Sequence, residues 1–178
     1  MADTGLHWFV GFTKSSHEKK VAEALEKMGV EYYLPVQKVR RRWSDRIKVL
    51  DKMVIPRMIF IRTTLQERVS YLELISGLYS YMSVKGPYTP VIVPDKQMAD
   101  FKFMVDNANA EVLFETRPLA PGDPVEVMTG QLAGIRGELV RVDGAKYVAI
   151  RLGTLGAALV EVPIESVERY IPDEDEDK

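Results

Sequence analysis

The apolar periodicity of the chain changes once, at Pro121-Gly122-Asp123-Pro124, and no other feature constrains its fold as much. Before that point, helical repeats alternate with runs rich in aromatic and β-branched residues. After it there is no convincing helix, only short alternating runs at 125–127, 130–137, 139–142, 147–151, 153–156, 158–162 and 167–170. Glycine turns about every eight to ten residues mark short strands in a small all-β barrel. Two modules are therefore expected: an α+β domain over residues 6–107 and a barrel over 121–170. The polar, proline-containing stretch 108–120 reads as their linker and 171–178 as an acidic tail. A barrel of about 50 residues holds little core and gains from a partner.

His7-Trp8-Phe9-Val10-Gly11-Phe12-Thr13 reads as a first strand. The helix that follows has Ser15 and Glu18 at capping-box spacing, Val21, Leu25 and Met28 at i, i+4, i+7, and Gly29 as its cap. An extended stretch broken by Pro35 runs into Lys38, Arg40, Arg41, Arg42 and Trp43, then turns at Ser44-Asp45 into Arg46, Ile47 and Lys48, forming a basic hairpin. Residues 54–61, nearly all apolar, predict a strand buried on both faces once Pro56 has been passed. A second helix opens with Thr64 and Glu67 at capping-box spacing, and its stripe is Leu65, Val69, Leu72 and Ile75, with Gly77 past its end. Residues 78–84 read as a strand, 91–93 lead onward, and Pro94-Asp95 opens a third helix with Met98, Phe101 and Val105 on one side. The order βαββαβα predicts an antiparallel sheet with flanking helices.

Charge divides in the same way. Residues 1–110 carry 17 Lys and Arg against 12 Asp and Glu, and residues 111–178 carry 7 against 14. The first part suits a polyanion and the second much less so. The run Asp173-Glu174-Asp175-Glu176-Asp177 reads as a disordered, solubilising end. The absence of cysteine excludes disulfides, thiolate nucleophiles and thiolate metal sites, and points to a reducing, cytoplasmic compartment. With only His7 and His17, imidazole-rich metal sites are excluded too. No apolar run nears the roughly 18 to 20 residues of a membrane helix, and residues 1–5 do not read as a signal peptide. Gly130, Gly134 and Gly137 lack the Lys-Ser/Thr that holds phosphate and magnesium, and neither histidine has a serine or acid arranged as a triad. No enzyme, cofactor or metal site is expected.

In order, these features resemble the NusG family of transcription elongation factors. Trp8-Phe9-Val10, the helix over 18–28, the basic stretch, Ile55-Pro56-Arg57-Met58-Ile59-Phe60-Ile61 and the helix opening at Pro94-Asp95 look like the family's amino-terminal domain. Residues 122–140, from Gly122-Asp123-Pro124 through Gly134-Ile135-Arg136-Gly137, look like its KOW motif, which implies an SH3-like barrel. The resemblance covers residues 6–170. Two positions depart from the family pattern: Pro56-Arg57-Met58 stands where Pro-Gly-Tyr is common, and Ser15-Ser16 where glycine is common. Tyr32-Tyr33-Leu34-Pro35 and Arg41-Arg42-Trp43-Ser44-Asp45-Arg46 look like the specialised paralogues of long polysaccharide operons.

The resemblance implies a monomeric factor that works by binding. Its amino-terminal domain seats an apolar depression on the clamp helices of the largest subunit of RNA polymerase and discourages pausing, and it places Phe9, Met58, Phe60, Tyr79 and Tyr81 near that depression. The basic set Lys14, Lys20, Lys27, Arg40, Arg41, Arg42, Arg46 and Lys48, with Trp43 among the arginines, is a candidate surface for upstream non-template DNA. In the barrel, Leu132, Thr154 and Leu155 match positions the family uses for protein partners, the ribosomal protein NusE and the termination factor Rho; Leu155 is either exposed on a loop tip as an anchor or covers one end of the barrel core. The competing expectation is an RNA-binding or ribosome-associated KOW module without polymerase binding; the acidic balance of residues 111–178 speaks against it.

Overall fold

The computed structural model describes residues 5–84, 86 and 89–172; the acidic run 173–177 lies outside them. The chain divides into two compact units, Met1–Met98 and Ala99–Lys178, and the division falls inside a helix.

The first unit contains β1 (His7–Thr13), α1 (Glu18–Lys27), β2 (Glu31–Tyr33), β3 (Val36–Arg42), β4 (Ile47–Met53), β5 (Met58–Thr63), α2 (Glu67–Leu74), β6 (Leu78–Tyr81) and β7 (Ile92–Val93), and α3 (Asp95–Asn107) begins in it. One antiparallel sheet has the order β2-β5-β1-β6, with β7 also on β1, while β3 and β4 form a two-stranded ribbon of their own. Alternation along the strands turns Phe9, Ile59, Ile61 and Tyr81 to one face. They pack there against Val21, Ala22 and Leu25 of α1 and against Tyr71 and Ile75. Each such apolar side chain removed from water stabilises the fold by about 1.5–3 kcal/mol.

Several local expectations are corrected. The Ser15–Glu18 spacing does not make a capping box: α1 begins at Glu18, and the buried Glu18 carboxylate accepts instead from the Arg57 amide at 3.0 Å. As expected of a strand that starts past Pro56, β5 begins at Met58, while Val54 and Ile55 are buried in a turn in which the Val54 amide donates to the Pro35 carbonyl at 2.9 Å. Arg57 has φ 62° and Ser16 has φ 60°, so both positions where the family commonly has glycine keep left-handed backbone with other residues. Ahead of α2 half of the Thr64–Glu67 box forms: the Glu67 amide donates to Thr64 Oγ1 at 3.1 Å, while the Glu67 carboxylate takes the Thr64 hydroxyl at 3.1 Å rather than a backbone amide. Its stripe differs: Leu65 and Val69 are exposed, and Tyr71 with Ile75 faces the core.

The second unit is a six-stranded antiparallel sheet in the order β13-β9-β10-β11-β12-β8. Its strands are β8 (Leu113–Glu115), β9 (Asp123–Val127), β10 (Arg136–Val142), β11 (Ala145–Arg151), β12 (Ala157–Val160) and β13 (Val167–Arg169), the last preceded by a 3-10 turn at Ile164–Ser166. The candidate linker thus supplies a strand, β8, which pairs with β12. Among the described residues beyond 107 there is no α-helix. Asp143 and Gly144, at φ 50° and 86°, make the two-residue turn between β10 and β11, where left-handed backbone matches the strand twist. Glu138 clasps the chain entering this sheet. It accepts from Arg151 at 2.6 and 2.9 Å and from the Gly122 amide at 2.9 Å, and the Arg151 guanidinium holds the Glu138 carboxyl below its ordinary range.

Candidate functional site

Residues on β1 alternate sides, so Phe12 lies opposite in facing to Phe9. Phe12 pairs directly with Met58 on β5 and with Ser80 on β6, and its ring stacks on Tyr79 with centroids 6.3 Å apart and planes at 23°. A register shift between Phe12 and Thr13 brings Tyr79 to that position. Phe12 and Met58 are half-buried and Tyr79 is 49 % exposed, so two aromatic rings and a thioether form an open apolar patch at one end of the sheet.

The five residues expected at the depression separate on this geometry. Met58 and Tyr79 are in the patch. Phe60 shares Met58's face but is fully buried, tilted against Tyr33 at 6.5 Å, and gives the patch a solid neighbour rather than a contact surface. Phe9 and Tyr81 belong to the opposite face under α1 and α2 and are not available to a visitor. The Arg68 guanidinium lies 5.6 Å from each of their rings. Burial, slightly opposed by Arg68, pushes the Tyr81 phenol above its ordinary value, and its hydroxyl is buried without a hydrogen-bond partner. Phe12, not singled out from sequence, belongs to the site; the period-two parity that separates it from Phe9 was the signal.

All the basic candidates are exposed: Lys14, Lys20, Lys27, Arg40, Arg41, Arg42, Arg46 and Lys48. Lys20 and Lys27 are seven residues apart on α1, whose buried side is Val21, Ala22 and Leu25, and so lie on one solvent face. The hairpin turns over Ser44-Asp45, with the Trp43 amide donating to the Arg46 carbonyl at 2.8 Å, and Arg41 stands directly across from Lys48. Lys48 Nζ sits 5.1 Å from the centroid of the Trp43 ring system, and Trp43 is 50 % exposed. At the ribbon's root, Lys19 of α1 pairs with Asp51 of β4 at 3.0 Å.

In the second unit the structure decides between the two placements of Leu155 in favour of the core. Leu155 is 3 % exposed and points inward, because its amide donates to Leu152 O at 3.0 Å and closes a tight loop, leaving Gly153 and Thr154 at the surface. Leu132 is also buried, yet it lines a groove of about 380 Å³ together with Val127, Gln131, Val160 and Val162. Among the described residues no cluster of His, Asp or Glu could hold a metal ion, and no helix is long and apolar enough to cross a membrane.

No curated relative matches the chain. A solved structure, "Domain interaction in Thermotoga maritima NusG", aligns at 17 % identity and a TM-score of 0.50, covering 92 % of this chain and 97 % of that one. Conformation B of the MjSpt4:Spt5 complex aligns at 16 % identity over 94 % of this chain and 99 % of its own, with a TM-score of 0.32. Conformation A aligns at 17 % over 92 % and 97 %, with a TM-score of 0.30. The Thermotoga likeness concerns the fold. Kinship rests on the profile described as "Transcription termination factor nusG", which matches residues 6–102. That segment is more than half of the sequence and contains every strand of the five-stranded sheet, and on it this chain belongs to the NusG family.

Proposed function

We propose that the chain is a cytoplasmic transcription elongation or antitermination factor that holds the clamp helices of the largest RNA polymerase subunit on the patch of Phe12, Met58 and Tyr79 and so suppresses pausing. In this reading residues 6–107 bind polymerase and residues 121–170, as a KOW barrel, recruit a protein such as NusE or Rho through the groove at Leu132 and the exposed Thr154. Family membership supports the transcriptional role. The observation that carries the polymerase contact is the open patch itself: a helix pair buries its apolar stripe against exposed rings, and a flexible thioether adapts to that stripe. Lys14, Lys20, Lys27 and the hairpin cations complete the reading by meeting the phosphates of the non-template strand, each contact weakening as salt rises.

The test is co-purification of polymerase core with the full chain. Met58→Asp places a charge in the proposed contact and is expected to lower affinity by about 10- to 100-fold, in the range of a central interface residue, with the thermal melt nearly unchanged. Undiminished retention of polymerase by that variant rules the patch out.

A further inference from the structure

On the sheet face that carries α1, a groove of about 470 Å³ runs between that helix and residues 32–36. Tyr32, Leu34 and Val36, at alternate positions, form one wall, and all three are only half-buried. The other wall is a single stripe of α1. Lys19, Ala22 and Glu23 line the groove, and Glu26, seven residues on from Lys19, continues the stripe. Lys19 is already paired with Asp51 at 3.0 Å, whereas among the described residues no ion pair takes Glu23 or Glu26. Both carboxylates bear on the opposite wall: burial first, and then the charges of Glu26 and Glu23, hold the Tyr32 phenol above its ordinary value. Lys20 and Lys27 stand about a quarter-turn round the helix, so the charge the groove leaves uncompensated is negative.

We propose that this groove docks an extended basic segment of a partner protein, with apolar side chains laid on Tyr32, Leu34 and Val36 and an arginine or lysine between them held by Glu23 and Glu26. Successive side chains of an extended chain point opposite ways, so the apolar ones meet one wall and the basic one meets the other. From Lys19 to Glu26 the helix rises about 10 Å, the length of about three residues of extended chain, which fits an apolar–basic–apolar run. An apolar wall left open to water gains by being covered, and a groove of this size holds a few side chains. The carboxylates decide the sign of the occupant. They attract a cation, and a guanidinium also lies favourably over the Tyr32 ring, whereas they repel a phosphate backbone. This surface goes beyond the preceding reading, since it uses neither the patch of Phe12, Met58 and Tyr79 nor the basic set.

The test uses the full chain and three fluorescein-labelled octapeptides, one alternating leucine with arginine, one leucine with glutamate and one serine with arginine. Binding is read by anisotropy at low salt and located by amide shifts in nitrogen-15-labelled protein. The leucine–arginine peptide is expected to bind about tenfold or more tightly than either of the others, to weaken as salt rises, and to shift the amides of Tyr32, Leu34 and Val36. Glu23→Gln combined with Glu26→Gln alters only exposed side chains, and should weaken that peptide about fivefold with the thermal melt unchanged. Tyr32→Ala should weaken it as well, and Tyr32→Phe should keep most of the binding. Equal binding of the serine–arginine peptide means that charge alone suffices and overturns the groove. Equal binding of the leucine–glutamate peptide, or affinity unmoved by the paired glutamine variant, overturns the role of the carboxylates and the proposal with it. So does failure of the leucine–arginine peptide to bind at millimolar concentration, or a set of shifts confined to Phe12, Met58 and Tyr79. Shifts at the groove that appear on concentrating the protein without peptide assign it to a second copy of this chain and overturn the partner segment.

Discussion

The two faces of the five-stranded sheet use the same kinds of side chain for opposite ends. On one, Phe9 and Tyr81 lie under two helices with Arg68 stacked against both rings. On the other, Phe12, Met58 and Tyr79 stop short of burial and remain open at one end of the strands. Phe9 and Phe12 are three residues apart on one strand, so composition cannot distinguish them; only strand parity does. An aromatic run in such a sheet therefore supplies the core and an open surface in alternate positions.

The sharpest way to break this comparison is to truncate both rings. Phe9→Ala should cost about 3–5 kcal/mol in chemical denaturation, because a fully buried ring leaves a cavity. Phe12→Ala should cost about 1 kcal/mol or less while reducing polymerase retention. Similar losses of stability from the two would show that the open face is core after all.

A smaller effect sits on the closed face and is read by pH. Because the folded state holds the Tyr81 phenol above its ordinary 10.0, the neutral form belongs to the fold, and its contribution is complete below about pH 10 and lost as pH climbs beyond that value. The denaturation midpoint should fall above pH 10 less steeply in Tyr81→Phe than in the wild type. At neutral pH that variant should be neutral or slightly stabilising, since the hydroxyl it removes is buried without a hydrogen-bond partner. Equal alkaline slopes would contradict the environment assigned to Tyr81.

The smallest effect lies in the turn that delivers Met58 to the open face. Arg57 holds a left-handed φ while its amide serves Glu18, so Arg57→Gly should relieve strain and, after the unfolded chain's greater freedom is set against it, raise stability by about 0.5–1 kcal/mol. Polymerase retention should not change. A loss of stability instead would mean that the arginine side chain contributes more than its backbone costs.

Much of this architecture was legible in residues. The hairpin followed from its arginine run and Ser44-Asp45, and the glycine-parted strands beyond residue 121 followed from their alternation. The errors share a physical cause, namely that local pattern does not say what lies across space. Glu18 has the spacing of a cap, but a turn 39 residues away takes its carboxylate. Leu65 and Val69 fit a helical repeat, but α2 starts at Glu67 and turns Tyr71 inward instead. Leu155, whose glycine-bounded loop left both a surface and an interior placement open, is carried into the interior by the loop's own hydrogen bonds. Of the residues expected at the depression, Met58 and Tyr79 lie at the open patch, while Phe12 beside them needed the pairing register of β1 with β5.

The ion pair between Lys19 and Asp51 joins the root of the ribbon to α1, and from Asp51 to Ile47 at the tip end of β4 the ribbon runs on for about 14 Å of strand. The ribbon is thus a lever pinned at one end. On the proposed reading, a strand held at the tip would pull through that pin on α1, the helix that bears Lys20 and Lys27.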